Sequence, residues 1–116
     1  MILPREPEPR PRGANRFSPG DLVRHVRYGY RGVVVAFDLA CQADEGWYRS
    51  NQTQPDRAQP WYHVLVDGSV QTTYSAQQNL APEVGGGPVL HPLVSRFFSD
   101  FDGMRYTRND QPWPEL

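Results

Sequence analysis

Six residues in one short window carry side chains suited to holding a ligand: Arg24, His25, Arg27, Tyr28, Tyr30 and Arg31. Guanidinium groups pair with phosphates or carboxylates, and phenol rings stack on bases or on apolar side chains. Interleaved as they are here, they suit a polyanion whose bases also need contact. Arg24, Arg27 and Arg31 would take phosphates or a guanine edge, while Tyr28 and Tyr30 would stack or touch a methyl group. The plainer use of the same residues is structural: arginines that solvate a surface, and a tyrosine that packs a hairpin. A second candidate pair, Trp47 and Tyr48, stands alone as large apolar anchors in a long polar stretch. With Trp61 and Tyr74 it suits a groove for a protein partner, the other use of Trp61 and Tyr74 being to fill the core.

Charge narrows these choices. All 12 basic residues are arginine, and the net charge is −1. Residues 1–31 hold seven arginines against Glu6, Glu8 and Asp21, a net +4, whereas residues 32–116 hold five arginines against ten acids, a net −5. A chain so close to neutral has no long-range pull on DNA, so contact with nucleic acid must be a local patch. Cys41 is the only cysteine, which rules out an intrachain disulfide and a cysteine-only metal site within one chain. Asp38, Asp44 and Glu45 lie near it in sequence and disfavour a reactive thiolate. His25, His63 and His91 show no metal-ligand spacing. No catalytic residue, metal or cofactor is expected, because nucleophile and phosphate-loop motifs are both missing. No apolar run approaches a membrane span and Met1–Glu6 lacks a signal-peptide core. The expectation is a non-enzymatic cytoplasmic protein with no membrane partner.

The elements that position these residues are short. Twelve prolines and ten glycines exclude long helices and favour strands joined by turns. Leu22–Tyr28 and Gly32–Asp38 read as two strands, with Gly29 and Gly32 tightening their connection. Val33-Val34-Val35 is continuous, as in a strand covered on both faces or bent through a barrel. Residues 39–59 read as a long loop. Pro60–Val66 and Val70–Ala76 read as a hairpin around Asp67-Gly68-Ser69. Gly85-Gly86-Gly87-Pro88 reads as a flexible joint, and His91–Phe98 suits a short helix with Leu93, Val94, Phe97 and Phe98 on one face. The fold class expected is mainly β: a small barrel with one short C-terminal helix. A disordered Pro/Arg-rich arm over 1–16 and a tail over 107–116 flank a domain over 17–106.

This layout resembles the YccV-like hemimethylated-DNA-binding domain family, to which heat shock protein HspQ belongs. The residues that carry the likeness are Phe17, Gly20, Val23-Arg24-His25, Tyr28-Gly29-Tyr30-Arg31-Gly32-Val33-Val34, Asp38, Trp47-Tyr48, Gln59-Pro60-Trp61-Tyr62-His63-Val64-Leu65, Asn79-Leu80 and His91-Pro92. The resemblance implies an SH3-like barrel with no catalysis and no cofactor. It implies a hemimethylated DNA duplex as partner. The alternative it implies is an adaptor or specificity factor in stress-linked protein turnover, with an ATP-dependent protease or its substrates as partner. Some members form homo-oligomers. One departure is Gln77, where the family usually has an acid before Gln-Asn-Leu.

Overall fold

The computed structural model describes residues 14–51 and 53–114. Strands β1 (Leu22–His25), β2 (Arg31–Asp38), β3 (Trp61–Val66), β4 (Thr72–Ala76) and β5 (Leu80–Pro82) make one antiparallel sheet in the order β4-β3-β2-β1-β5. Strands β6 (Phe98–Phe101) and β7 (Tyr106–Arg108) form a separate hairpin. Two short helices, α1 (Glu45–Ser50) and α2 (Val94–Phe97), and a 3-10 turn at Gln77–Asn79 complete the described chain.

Three expectations need correction. The sheet does not close into a barrel: β4 and β5 stand at its two ends, joined by the 3-10 turn and not by a ladder. The 39–59 stretch is not all loop. Asp44 caps α1 by accepting the Trp47 N–H at 2.7 Å, and Glu45 pairs with Arg49 one turn on at 2.8 Å, so a polar segment gains a helix from capping and spacing alone. The C-terminal helix stops at Phe97. Phe98 adopts extended backbone and opens the β6–β7 hairpin, which the polar composition after it conceals.

The valine run is covered on both sides, as its continuity implies. Val33 and Val35 pack with Leu22, Leu65, Phe97, Phe98 and Tyr106, while Val34 packs with Phe17, Val23, Tyr62, Val64 and Leu80. All three valines are fully buried, each contributing about 1.5–3 kcal/mol by removal from water. A register shift between Val34 and Ala36 bends β2 at Val35. The Val35 carbonyl there accepts from Arg108 Nε at 2.9 Å. The hairpin is tied to the sheet again at Gly20, whose carbonyl accepts the Tyr106 N–H at 2.9 Å. Gly20 has φ +102°, and a Cβ at that position would collide with the Tyr106 carbonyl.

Of the N-terminal arm, residues 1–13 lie outside the described residues. Residues 14–16 are held by the sheet. Gln77 Oε1 accepts from the Arg16 N–H at 2.7 Å and from Tyr62 Oη at 2.6 Å, and its Nε2 donates to the Ala14 carbonyl at 3.4 Å. An amide both accepts and donates here, whereas a carboxylate could only accept. The departure at Gln77 therefore gives the chain's entry into the sheet one contact that an acid could not make. At the other end, Trp113 packs on Phe97 and His63 with ring centroids 5.2 and 5.5 Å away.

Candidate binding pocket

The β1–β2 connection is built around His25. Its side chain is only 4% exposed. Its Nδ1 accepts the N–H groups of Arg27 (3.2 Å) and Tyr28 (3.1 Å), and its carbonyl accepts the Gly29 N–H at 2.8 Å. Gly29 sits at φ +77°, the left-handed region the turn requires. The His25 ring is stacked with Tyr28 on one contact (4.7 Å) and Tyr30 on another (5.1 Å). Burial, then the Arg27 charge, lowers its pKa from 6.5, so the ring stays neutral and Nδ1 stays an acceptor. His25 thus forms the turn that holds the two tyrosines. Tyr28 is 54% exposed. Tyr30 lies deeper, its hydroxyl bonded to Thr73 Oγ1 at 2.7 Å and Ser75 Oγ at 2.9 Å; burial raises its pKa.

The three arginines do not form a free basic face. Arg24 Nε meets Glu83 at 2.6 Å, and its Nη1 donates to the Gly29 carbonyl at 2.7 Å. Arg31 meets Asp67 at 2.7 Å with its side chain only 15% exposed. It also donates to the Gly87 carbonyl at 2.5 Å and the Pro88 carbonyl at 3.3 Å. Gly86 lies against that guanidinium, where a Cβ would stand 2.7 Å from Nε. The triglycine is therefore a cradle for Arg31, which corrects its reading as a loose joint. Asp67 also accepts the Leu90 N–H at 2.7 Å. That bond first, and Arg31 with it, holds its carboxyl below the ordinary range. Arg27 alone of the three has no carboxylate partner among the described residues; its guanidinium sits 5.9 Å from the Tyr28 ring centroid. Arg31 is therefore held inside the fold by Asp67, while Arg24 pairs with Glu83 with about half of its side chain still exposed, a difference of geometry that spacing does not reveal.

The structure brings the two candidate sets together. A pocket of about 270 Å³ is lined by His25, Tyr28 and Tyr30 at one side and by Trp47 and Trp61 at the other, with β4 between them. Trp47, carried in by α1, stands edge-on to Trp61 at 6.1 Å and to Tyr74 at 5.6 Å. Tyr48 does not line the pocket. Its hydroxyl donates to the carbonyls of Gln54 (2.9 Å) and Pro55 (2.7 Å), and Arg57 covers its ring at 4.9 Å. It braces the loop that holds Trp47. Asn51, Thr53 and Pro55 bring that same loop to the rim.

Sequence reasoning singled out Tyr74 and Trp61 for such a groove but missed the hydroxyl residues of β4. Thr72, Thr73 and Ser75 line the pocket with Tyr74; the only signal was the alternation in VQTTYSA. Behind Tyr74, its hydroxyl donates to Asp38 Oδ2 at 2.6 Å and accepts the Gln42 N–H at 3.1 Å. Burial, then the Asp38 bond, pushes the phenol far up, so it is always a donor. His63 lies 3.6 Å from the same carboxylate, yet burial outweighs Asp38 and lowers its pKa from 6.5. Among the described residues no group of three His, Cys, Asp or Glu is arranged to hold a metal ion, and Cys41 is buried. No described helix is long and apolar enough to cross a membrane.

A five-stranded sheet bearing an aromatic pocket at one edge defines a small β module. The chain belongs to the YccV-like family: residues 15–105 match the family model described as "Hemimethylated DNA-binding protein YccV like". It is also similar to proteins named F-box only protein 21 from Homo sapiens, Mus musculus and Pongo abelii, each 38% identical over 97 residues. That alignment takes in 80% of this chain and 15% of each relative, so the chain spans a small part of the length of the curated relatives it matches.

Proposed function

We propose that this chain is a non-enzymatic binding module, and that its aromatic pocket takes a segment of a partner protein, in the manner of an adaptor. The observation that carries this reading is the fate of the arginines. Two of three are neutralised by Glu83 and Asp67, while the aromatic rings of both candidate sets converge on one pocket. Protein segments are recognised by aromatic-lined grooves and open sheet edges without a dense positive charge. An adaptor that delivers proteins to an ATP-dependent protease is one use of such a surface.

The second reading is binding to a hemimethylated DNA duplex, favoured by the family's description and by Arg27 beside the exposed Tyr28 ring. The two readings separate by salt dependence. Each phosphate neutralised contributes about −0.9 to the slope of log K against log salt. A patch of three free arginines gives about −2.7; Arg27 alone gives about −0.9. Titrating methylated, hemimethylated and unmodified duplexes against wild type and Arg27→Ala tests this. The adaptor reading expects weak, equal binding to all three, with a shallow slope. A steep slope that becomes shallower by about 0.9 in Arg27→Ala, with a preference for the hemimethylated duplex, would establish the DNA reading instead. Capture of a protease or its substrates that disappears in Trp47→Ala supports the adaptor.

A further inference from the structure

The pocket runs along an unpaired sheet edge. β4 has β3 on one side only. At the two ends of that pairing, the Val66 N–H bonds to the Gln71 carbonyl at 3.1 Å and the Gln77 N–H to the Pro60 carbonyl at 2.9 Å. With Trp61 opposite Ala76 and Leu65 opposite Thr72, this sets the odd-numbered residues of β4 as those that bond to β3. Thr72 and Tyr74 therefore turn their N–H and C=O groups away from the sheet, and among the described residues neither has a partner there. The other edge differs: β5 ends in Pro82, which has no N–H to offer. An edge left open and unblunted is a template for a further strand.

The pocket's lining comes from both faces of this edge. Trp61, opposite Ala76, shares a face with Tyr74 and contacts Trp47; Ser75 and Thr73, on the reverse face, hold Tyr30. Aromatic walls on both sides of unpaired peptide groups fit a chain lying along β4 better than a compact ligand. At about 270 Å³ the space is also below the range of roughly 300–1,000 Å³ usual for small-molecule sites.

We propose that β4 receives a short extended segment of a partner protein as an added strand, with an apolar side chain against Trp47 and Trp61 and an acidic side chain toward Arg27. This rests on the protein-segment reading above and names how the segment is held. Side chains of a strand alternate between faces, so a segment along this edge offers one set to the tryptophans and the next to the Tyr28–Arg27 side. Charge complementarity decides the second set, because Arg27 is the candidate guanidinium without a carboxylate. A nucleic acid has no N–H and C=O pair at strand spacing for Thr72 and Tyr74.

The test uses the full chain, ¹⁵N-labelled, titrated with acetyl-Glu-Leu-Glu-Leu-Glu-amide, with the same peptide N-methylated throughout, and with a hemimethylated duplex. The expected result is that the first peptide slows hydrogen exchange at the Thr72 and Tyr74 amides and changes tryptophan fluorescence. The N-methylated peptide should bind about tenfold more weakly, the worth of one or two hydrogen bonds. Arg27→Glu should weaken the acidic peptide and favour its lysine counterpart. Equal binding by the N-methylated peptide overturns strand addition but leaves the protein-segment reading standing. No response to either peptide also overturns strand addition. If the duplex alone shifts the pocket resonances, the protein-segment reading falls with it.

Discussion

Removal of Arg31 separates a cation built into the fold from one left exposed on the turn. Its side chain is largely covered, ion-paired with Asp67 at 2.7 Å and hydrogen-bonded to the carbonyls of Gly87 and Pro88. Arg31→Ala leaves the Asp67 carboxylate facing its cradle without a cation and frees two carbonyls. Breaking a fully buried pair costs about 3–5 kcal/mol, and one hydrogen bond to a charged group about 1.5–3 kcal/mol. Asp67 keeps its bond from the Leu90 N–H and a quarter of its side chain stays exposed, so water recovers part of the loss. The expected cost is about 2–3 kcal/mol, or roughly a 10–14 °C fall in Tm at an unfolding entropy of about 2.1 cal/mol/K per residue over roughly 100 residues. Arg31→Lys keeps the charge but not the two-pronged contact and should lose about half as much. Arg27→Ala, on the exposed turn, should stay within about 0.5 kcal/mol of wild type. Urea unfolding of the three variants reads these values directly. Equal stability of Arg31→Ala and Arg27→Ala would refute the reasoning, since Arg31 would then be as free as its neighbour. The pH dependence offers a second check. The Asp67 pKa is depressed in the fold, so the unfolded chain binds more protons near the ordinary value of 3.8. Its contribution is complete above that value and disappears as pH falls below it. This acid-sensitive part should shrink in Arg31→Ala.

Other outcomes follow from the pocket and its supports. Tyr30→Phe removes the hydroxyl held by Thr73 and Ser75 and should cost about 1–2 kcal/mol in urea unfolding; no change would mean those bonds are replaced by water. His25 and His63 both have folded pKa values below 6.5, so their contribution is complete above that value and declines as pH falls through the lowered one. NMR titration should find the His25 ring more than half neutral at pH 6.5, with the Arg27 and Tyr28 amides losing protection once it protonates; a ring pKa above 6.5 contradicts this. Trp113→Ala strips the partner of Phe97 and His63 and should cost about 1–3 kcal/mol, less than the 3–5 of a fully buried ring because Trp113 is half-buried. A calorimetric Tm unchanged from wild type would show the tail is not docked in solution.

Much of the architecture could be read in advance because local chemistry dictates it. The Val33–Val35 run implied a strand covered on both faces, Asp67-Gly68-Ser69 implied the hairpin turn, and Gly29 implied the tight connection before β2. Each depends on propensity or periodicity over a few residues. The β6–β7 hairpin did not show, since Phe98 completes a helical spacing and its strand partner lies beyond a polar turn. Nor did the helix at Glu45–Ser50, whose stability comes from the Asp44 cap and one ion pair rather than an apolar stripe.

The candidate pocket divides in the same way. Of the residues singled out by type, His25, Tyr28, Tyr30 and Trp47 line the pocket, and the arginines and Tyr48 do not. Whether a guanidinium is free depends on what stands opposite it in space. Glu83 lies 59 residues from Arg24 in sequence and reaches it only because β5 pairs with β1. Asp67 reaches Arg31 because β3 pairs with β2. The open edge of β4 likewise exists only once the strand order is set, because an unpaired N–H is a property of neighbours and not of the residue that bears it. Side-chain identity, turn chemistry and hydrophobic pattern were local and therefore visible in the chain; charge neutralisation, the meeting of two aromatic sets and the vacant edge are relations between distant segments, and folding alone creates them.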